Sequence, residues 1–403
     1  MKTEPTMNRR RGRGEGSIKQ RADGRWEARL DFGCVDGKRK QKSLYGRTRK
    51  EAADNLRKAQ QQLEEGTLLL DERMTVGDWL AHWIDVVLTN RVENGVLSES
   101  TYYSYADTVR LHLKPSLGNY RLSKLTAAHV DAFIASKRSN YSKNSQRIMR
   151  STLRKALNDA IKAGHLIRNV VDTSEPVKVS RRAQSFLTVD EAQRLLAAAS
   201  GNRLAALYVV VLSLGLRKGE ALALRWEDLD LDAGTVIIRR SLKRLRNRPL
   251  ADGSYPDGRK TRLVSGSPKT ENSWRTLNLP ERVVAALRGH RRRQAAERLA
   301  ADAWADDGLV FTTPVGSPID PANFGKYLSA VAERAGLGHC NPHRLRHSAA
   351  TILLAAGVPL HEVADVLGDT QEVAKTVYGH LTSERRRAAA VAMGDALWGQ
   401  PAS

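Results

Sequence analysis

Four short stretches in the C-terminal half of the chain hold polar residues that could act on a phosphate ester. In Leu214-Gly215-Leu216-Arg217-Lys218-Gly219-Glu220, an arginine ends a long apolar run just where a second helix begins. Ser267-Pro268-Lys269-Thr270, followed by Ser273-Trp274-Arg275, puts a lysine in a hairpin region that leads into a strand. His343-Arg344-Leu345-Arg346-His347 sets His343 and Arg346 three residues apart, so one helical face can present both. Tyr378-Gly379-His380-Leu381 offers a phenol after a short helix. Taken alone, Arg217 reads as a helix-terminus arginine and Lys269 as a solvated charge.

In this order and spacing the four stretches resemble the tyrosine recombinase (phage integrase) family, and the resemblance covers nearly the whole chain. The family's first catalytic arginine matches Arg217, within Gly215-Leu216-Arg217-x-Gly219-Glu220. Its hairpin lysine matches Lys269, within Pro268-Lys269-Thr270-x-x-Ser273-x-Arg275, and its His-x-x-Arg pair matches His343 and Arg346. Its nucleophile matches Tyr378. One position departs from the pattern. Nine residues before the nucleophile, where the family places histidine or tryptophan, this chain reads Val366-Leu367-Gly368-Asp369. A carboxylate beside a phosphodiester repels it unless protonated or paired. Two accounts of Asp369 follow: it faces away from the phosphate and pairs with a nearby cation such as Arg344 or His380, or it sits near the scissile phosphate and slows attack.

The chemistry this implies is DNA cleavage and rejoining through a 3′-phosphotyrosine. Phosphoryl transfer needs an in-line nucleophile and positive charge around the non-bridging oxygens. With a reference pKa of about 10, only about one phenol in a thousand is ionised at pH 7, so Tyr378 needs a base, and His343 fits that role. Arg217 and Arg346 fit a planar clamp on the phosphate. Lys269 fits a proton donor to the leaving 5′-oxygen, on a loop able to close over bound DNA. Neither a metal nor a nucleotide cofactor is expected. Cys340-x-x-His343-x-x-x-His347 has ligand-like spacing but lacks a convincing fourth ligand. Two other readings stay open: a DNA-binding protein on this scaffold that cuts weakly or not at all, motivated by Asp369, and a strand transferase of the type IB topoisomerase kind.

The elements that must position these residues follow from periodicity. Residues 1–16 are basic, Gly-rich and expected to be disordered. Strands are expected at Ser17–Lys19, Arg25–Leu30 and Lys40–Tyr45, with turns at Asp23-Gly24 and Asp36-Gly37, then a helix with Ala52, Leu56, Ala59 and Leu63 on one face. Residues 1–70 thus form a basic arm-type DNA-binding domain, with Arg25, Lys40 and Lys42 as candidate contacts. Residues 74–168 carry four apolar stripes (Trp79, Leu80, Trp83, Ile84, Val87; Tyr102, Tyr105, Val109, Leu113; Val130, Phe133, Ile134; Ile148, Leu153, Leu157, Ile161) and read as a helical core-binding bundle. Lys143, Arg147, Arg150 and Arg154 are its candidate phosphate contacts. A linker at 169–185 leads to the catalytic domain, 186–395, which opens on a capping box at Thr188–Glu191. There, strands are expected at Thr235–Arg239 and Trp274–Leu279, a polar hairpin region at 241–270, and helices at 281–300, 321–335, 344–356 and 359–367. The fold class is α+β and predominantly helical, in three modules.

Composition bounds the partners. The 403 residues include 66 Lys and Arg against 44 Asp and Glu, a net charge of +22, which points to nucleic acid. Residues 1–50 alone hold 16 basic against 6 acidic residues. No run of 18 apolar residues occurs, and no apolar segment follows the basic N-terminus, so neither a membrane span nor a signal peptide is expected. The two cysteines, Cys34 and Cys340, fall in different modules, which fits a reducing cytoplasm. The resemblance implies double-stranded DNA attachment sites of core and arm types as partners, a homotetramer on DNA, and, as further partners, a recombination directionality factor and a host DNA-bending protein.

Overall fold

The computed structural model describes residues 17–35, 38–64, 73–179, 185–247, 252, 254–266 and 274–378. The chain divides into two compact units, Met1–Arg181 and Arg182–Ser403.

At the start of the first unit, β1 (Ser17–Gln20), β2 (Trp26–Val35) and β3 (Lys38–Gly46) form an antiparallel sheet in the order β1-β2-β3, and α1 (Arg49–Glu64) packs on it. The register pairs Ile18 with Ala28 and Ala28 with Leu44. That places an apolar row on the face covered by Ala52, Leu56 and Ala59 of α1. Lys42 lies opposite Leu30 and so shares the helix-covered face. Among the described side chains, Lys19 and Arg29 stand on the open face, both paired with buried Glu27. Hydrogen bonds from Arg29 and Ser43 outweigh burial and hold the Glu27 carboxyl down at about 2.

The rest of the unit is helical: α2 (Val76–His82), a π-helical turn (Trp83–Leu88), α3 (Thr89–Glu93), α4 (Glu99–Thr108), a second π-helical turn (Val109–Leu113), α5 (Lys114–Leu117), α6 (Ala127–Ser136) and α7 (Lys143–Lys162). Two buried tryptophans tie α7 to this core. Trp79 Nε1 donates to the Ala156 carbonyl at 2.8 Å, and Trp83 Nε1 to Asp159 Oδ2 at 2.8 Å. Asp159 also takes both arms of Arg91, at 2.7 and 2.9 Å. The face of α7 that packs inward is Met149, Leu153, Ala156, Leu157 and Ala160, while Ile148 is exposed and Ile161 half-buried. The expected stripe therefore had two wrong members: burial follows helical spacing through the small alanines rather than the bulkiest residues.

In the second unit, α8 (Val189–Ala198) starts on the Thr188–Glu191 capping box. Then α9 (Ala205–Leu214), apolar nearly all round, runs through the core, packed by α8, α10 (Lys218–Leu222), α11 (Glu281–Ala300) and α13 (Pro342–Ala355). Strands β4 (Leu229–Asp230), β5 (Thr235–Ile238) and β8 (Arg275–Asn278) form one antiparallel sheet, and β6 (Ser241–Arg246) and β7 (Thr261–Gly266) a separate two-stranded ribbon. Within the polar region 241–270, residues 241–246 and 261–266 are thus paired strand. The remaining helices are α12 (Pro321–Arg334), α14 (Leu360–Leu367) and α15 (Gln371–Tyr378). Asn341 caps α13 and starts it two residues before the expected 344, which brings His343 into its first turn. The whole is predominantly helical with small antiparallel sheets, and no described helix is long and apolar enough to cross a membrane.

Candidate active site

Two left-handed glycines shape the site. Gly215, at φ +60°, ends α9, and a Cβ there would run into the Leu367 side chain. Gly368, at φ +66°, ends α14, and a Cβ there would lie 2.7 Å from Arg275 Nη1. The first turn delivers Arg217 at the head of α10, and the second delivers Asp369. Arg346 comes from α13, where it is only 2 % exposed, and its Nη1 donates to the Gly215 carbonyl at 2.8 Å.

These residues meet on one carboxylate. Asp369 Oδ1 accepts from Arg217 Nη2 at 2.5 Å, and Oδ2 accepts from Arg346 Nη2 at 2.6 Å. Arg217 Nη2 also reaches the Gly368 carbonyl at 2.9 Å. Behind them, buried Glu220 accepts from Arg217 Nη1 at 2.7 Å and from Arg275 Nη2 at 3.0 Å, and Arg275 Nε donates to the Val366 carbonyl at 2.8 Å. Burial pushes the Glu220 carboxyl up, but the Arg275 and Arg217 guanidiniums outweigh it and hold it below the usual range. For Arg346, burial and then Arg217 push the guanidinium below its ordinary value, against the pull of Asp369. Asp369 is thus cation-paired, but not with Arg344, which donates to the carbonyls of Leu337 and His339. The reason is topological, because the turn at Gly368 aims Asp369 back at α10 and α13.

Tyr378 ends α15 and belongs to the buried cluster that includes Ala350, Val363, Leu367 and Ala374. Its hydroxyl lies 2.6 Å from Nδ1 of His347. Burial pushes the phenol up to about 12, with Arg346 pulling it down and Asp369 pushing it up. Burial, then His343 and Arg346, push the His347 imidazole down to about 4. The His343 ring stands edge-on to that of His347, centroids 4.2 Å apart. Although much of His343 is exposed, burial of its inner side and then Arg346 push its imidazole below the ordinary value.

Of the residues named from the sequence, Arg217, His343, Arg346, Asp369 and Tyr378 come together here. Lys269 and His380 lie outside the described residues. Among the described residues, no group of three or more His, Cys, Asp or Glu could hold a metal ion. Glu220, Arg275 and the contact made by His347 were missed. Their signals were present: Glu220 sits three residues after Arg217, Arg275 closes the lysine motif, and His347 follows His343 by one helical turn.

In the first unit, Lys143 and Arg147 are exposed on the first turns of α7, Arg147 reaching Asn144 Oδ1. Arg150 is engaged internally, donating to the Val171 and Ser174 carbonyls, and Arg154 pairs with Asp172 at 2.5 Å. Arg25 is exposed and paired with Asp23.

Residues 185–385 match the model of the phage integrase family, and residues 75–137 match that of the phage integrase N-terminal SAM-like domain. An integrase of Streptomyces ambofaciens is 32 % identical over 90 % of this chain and 91 % of its own length. The chain belongs to the phage integrase family of tyrosine recombinases. This recombinase is also 28 % identical to a tyrosine recombinase XerC-like protein of Caldanaerobacter subterraneus subsp. tengcongensis, over 89 % of this chain and 93 % of that one. Its fold is that of the Tn1549 transposon integrase, solved in complex with a circular intermediate DNA (TM-score 0.62, 19 % identity, 79 % of this chain and 99 % of that chain). It is likewise that of lambda integrase, solved as a tetramer bound to a Holliday junction (TM-score 0.51, 18 % identity, 90 % and 93 %). The protein is a site-specific DNA recombinase, an enzyme that breaks and rejoins DNA strands.

Proposed function

We propose that this recombinase integrates or excises a mobile element by cutting each strand with Tyr378 and holding the DNA as a 3′-phosphotyrosine. The observation that carries this reading is the convergence of Arg217 and Arg346, from two different helices, on one small anionic group, with Arg346 and Asp369 close enough to Tyr378 to act on its phenol. Two guanidinium forks set this way fit the non-bridging oxygens of a phosphodiester. Tyr378 attacks the phosphorus, and Lys269 protonates the 5′-oxygen as it leaves. The histidine pair on α13 takes the phenol's proton, with the sequence pattern naming His343 for it. The protein–DNA phosphodiester has about the energy of the bond broken, so rejoining needs no nucleotide. The positive charge around the phosphate comes from side chains, so this reaction needs no metal.

The partners in this reading are duplex attachment sites. A core-type site meets the helical bundle, where exposed Lys143 and Arg147 are better placed for phosphate than the internally engaged Arg150 and the Asp172-paired Arg154. An arm-type site meets the N-terminal module of residues 1–70, with Arg25, Lys40 and Lys42 as its named cations and Lys19 and Arg29 on the open face of the sheet. Four protomers act on two duplexes, as in the lambda integrase tetramer on a Holliday junction. A directionality factor and a DNA-bending protein of the host complete the reading. Tyr378→Phe tests it. The variant is expected to bind core-site DNA within a few-fold of wild type and to form no covalent complex. A Phe variant that still traps DNA covalently removes Tyr378 from the reaction.

A further inference from the structure

The ring nitrogen that meets the Tyr378 hydroxyl belongs to His347, not to the histidine of the His-x-x-Arg pair. The two histidines lie one turn apart on α13, and among the described residues it is Nδ1 of His347 that stands at hydrogen-bond distance from Oη, at 2.6 Å. A hydrogen bond that merely satisfied a buried phenol would be unremarked, since buried hydroxyls usually have a partner. The other nitrogen tells against a strut. Nε2 of His347 is buried and has no hydrogen-bond partner among the described residues, whereas a ring used as a bridge is held at both nitrogens. An imidazole hydrogen-bonded, among the described residues, to the hydroxyl of a nucleophile alone, and within electrostatic reach of Arg346 and Asp369, has the geometry of a base.

We propose that His347 is a catalytic residue of this recombinase, its Nδ1 holding the Tyr378 hydroxyl in place and taking its proton as Oη bonds to the scissile phosphorus. This rests on the reading of Tyr378 as the nucleophile. A lone pair of Oη forms the Oη–P bond while the bond from phosphorus to the 5′-oxygen breaks. Its electron pair stays on the 5′-oxygen, which takes a proton from Lys269. The phenol proton passes to Nδ1, and the ring becomes an imidazolium with its other proton on Nε2. Rejoining runs the same path backwards, the imidazolium returning its proton to Oη. While the site is empty the proton stays on oxygen, because burial holds the phenol at about 12 and the imidazole at about 4. It moves when bond formation drains electron density from Oη, so the nucleophile stays masked until a phosphate is in place.

The test uses the full chain and a pool of nicked duplexes with randomised centres. Wild-type protein selects a cleavable duplex by denaturant-resistant linkage, and that duplex then serves for single-turnover cleavage. His347→Asn keeps a polar atom near the place of Nδ1 but cannot take a proton. With melt and DNA binding unchanged, its cleavage should fall by about a hundredfold or more. Its rate should also climb roughly tenfold per pH unit above neutrality, as the phenol must ionise unaided, while the wild-type and His343→Asn profiles stay flat. Imidazole in the buffer should restore part of the rate of His347→Ala, which decides the matter if the Asn variant melts early. Cleavage by His347→Asn within about threefold of wild type, a slowed rate with the wild-type pH profile, or no rescue by imidazole each overturns the proposal. If wild type links to no duplex, or Tyr378→Phe still links, the nucleophile reading fails and this one with it. If both controls behave and His347→Asn cleaves normally, only the His347 assignment falls.

Discussion

Asp369 takes one donor from each of Arg217 and Arg346; on the proposed reading these donors grip the phosphate, so the carboxylate would both stabilise the empty site and compete with substrate. Removing one partner of a buried ion pair typically costs about 3–5 kcal/mol, because the other charge is left uncompensated. Arg346, 2 % exposed, is that other charge. Asp369→Asn is therefore expected to melt several degrees below wild type and to regain more of that loss than wild type gains when inorganic phosphate is added. Its single-turnover cleavage should rise about tenfold, roughly 1.4 kcal/mol of barrier, because the anion that raises the phenol and repels the phosphate is gone. An unchanged melt and no phosphate response would show that the carboxylate neither holds the arginines nor blocks them. His347 gives the site a pH signature. Its imidazole falls from an ordinary 6.5 to about 4 on folding, so the unfolded chain binds the proton more readily. The stability it contributes is present above pH 6.5 and is lost as pH falls toward 4, up to about 3 kcal/mol. Urea melts of wild type and His347→Asn should show a stability difference that shifts in favour of the variant across that window. A pH-independent difference would contradict the burial assigned to this ring.

At the scale of elements, the helix ends are what bring distant residues into register. Gly368 is the sharper case, since its left-handed φ and its closeness to Arg275 both exclude a side chain. Gly368→Ala should lose about 1 kcal/mol from backbone strain alone, and more from displacing Arg275 and, through Glu220, Arg217. Cleavage should fall further than the melt explains, because Asp369 and Arg217 move with the turn. A variant with normal cleavage and an unchanged melt would show that the turn tolerates a side chain. The motifs and most helices were legible because they rest on local spacing: the Thr188 capping box, the apolar run of α9, the His343–Arg346 turn. The pairing of Asp369 with Arg217 was not, because it joins residues about 150 positions apart through two helix ends whose aim no periodicity records. Nor was the face taken by Lys42, which depends on strand register, or the burial of Met149 and Ala156 in place of Ile148, where spacing outranks size.

The charge of the whole molecule is unevenly placed. Residues 1–70 hold 18 Lys and Arg against 10 Asp and Glu, a net of +8, and all of that surplus comes from residues 1–50, because residues 51–70 are net acidic. The surplus therefore lies with the basic tail and the three-stranded sheet rather than with α1. A sheet of this size can lie in the major groove, and its open face carries Lys19 and Arg29 beside Glu27. The rest of the chain keeps the remaining net of +14, and on the proposed reading it holds the core-type duplex. A chain beginning at residue 71 is thus expected to keep binding and cutting core-type duplexes but to lose integration on full attachment sites, which need a second DNA contact per protomer. Salt separates this from a general loss of affinity. Each phosphate contact removed lowers the slope of log K against log salt by about 0.9, so the shortened chain should show a shallower slope on arm-containing DNA and an unchanged slope on core duplexes alone. Lys19→Ala with Arg29→Ala in the full chain should lower the arm-DNA slope by about two such contacts without touching core cleavage. Filter binding across a salt series, with integration scored on paired plasmids, reads both. Normal integration by the shortened chain, or equal slopes on the two DNAs with and without residues 1–70, would show that the basic surplus is not an arm-DNA contact.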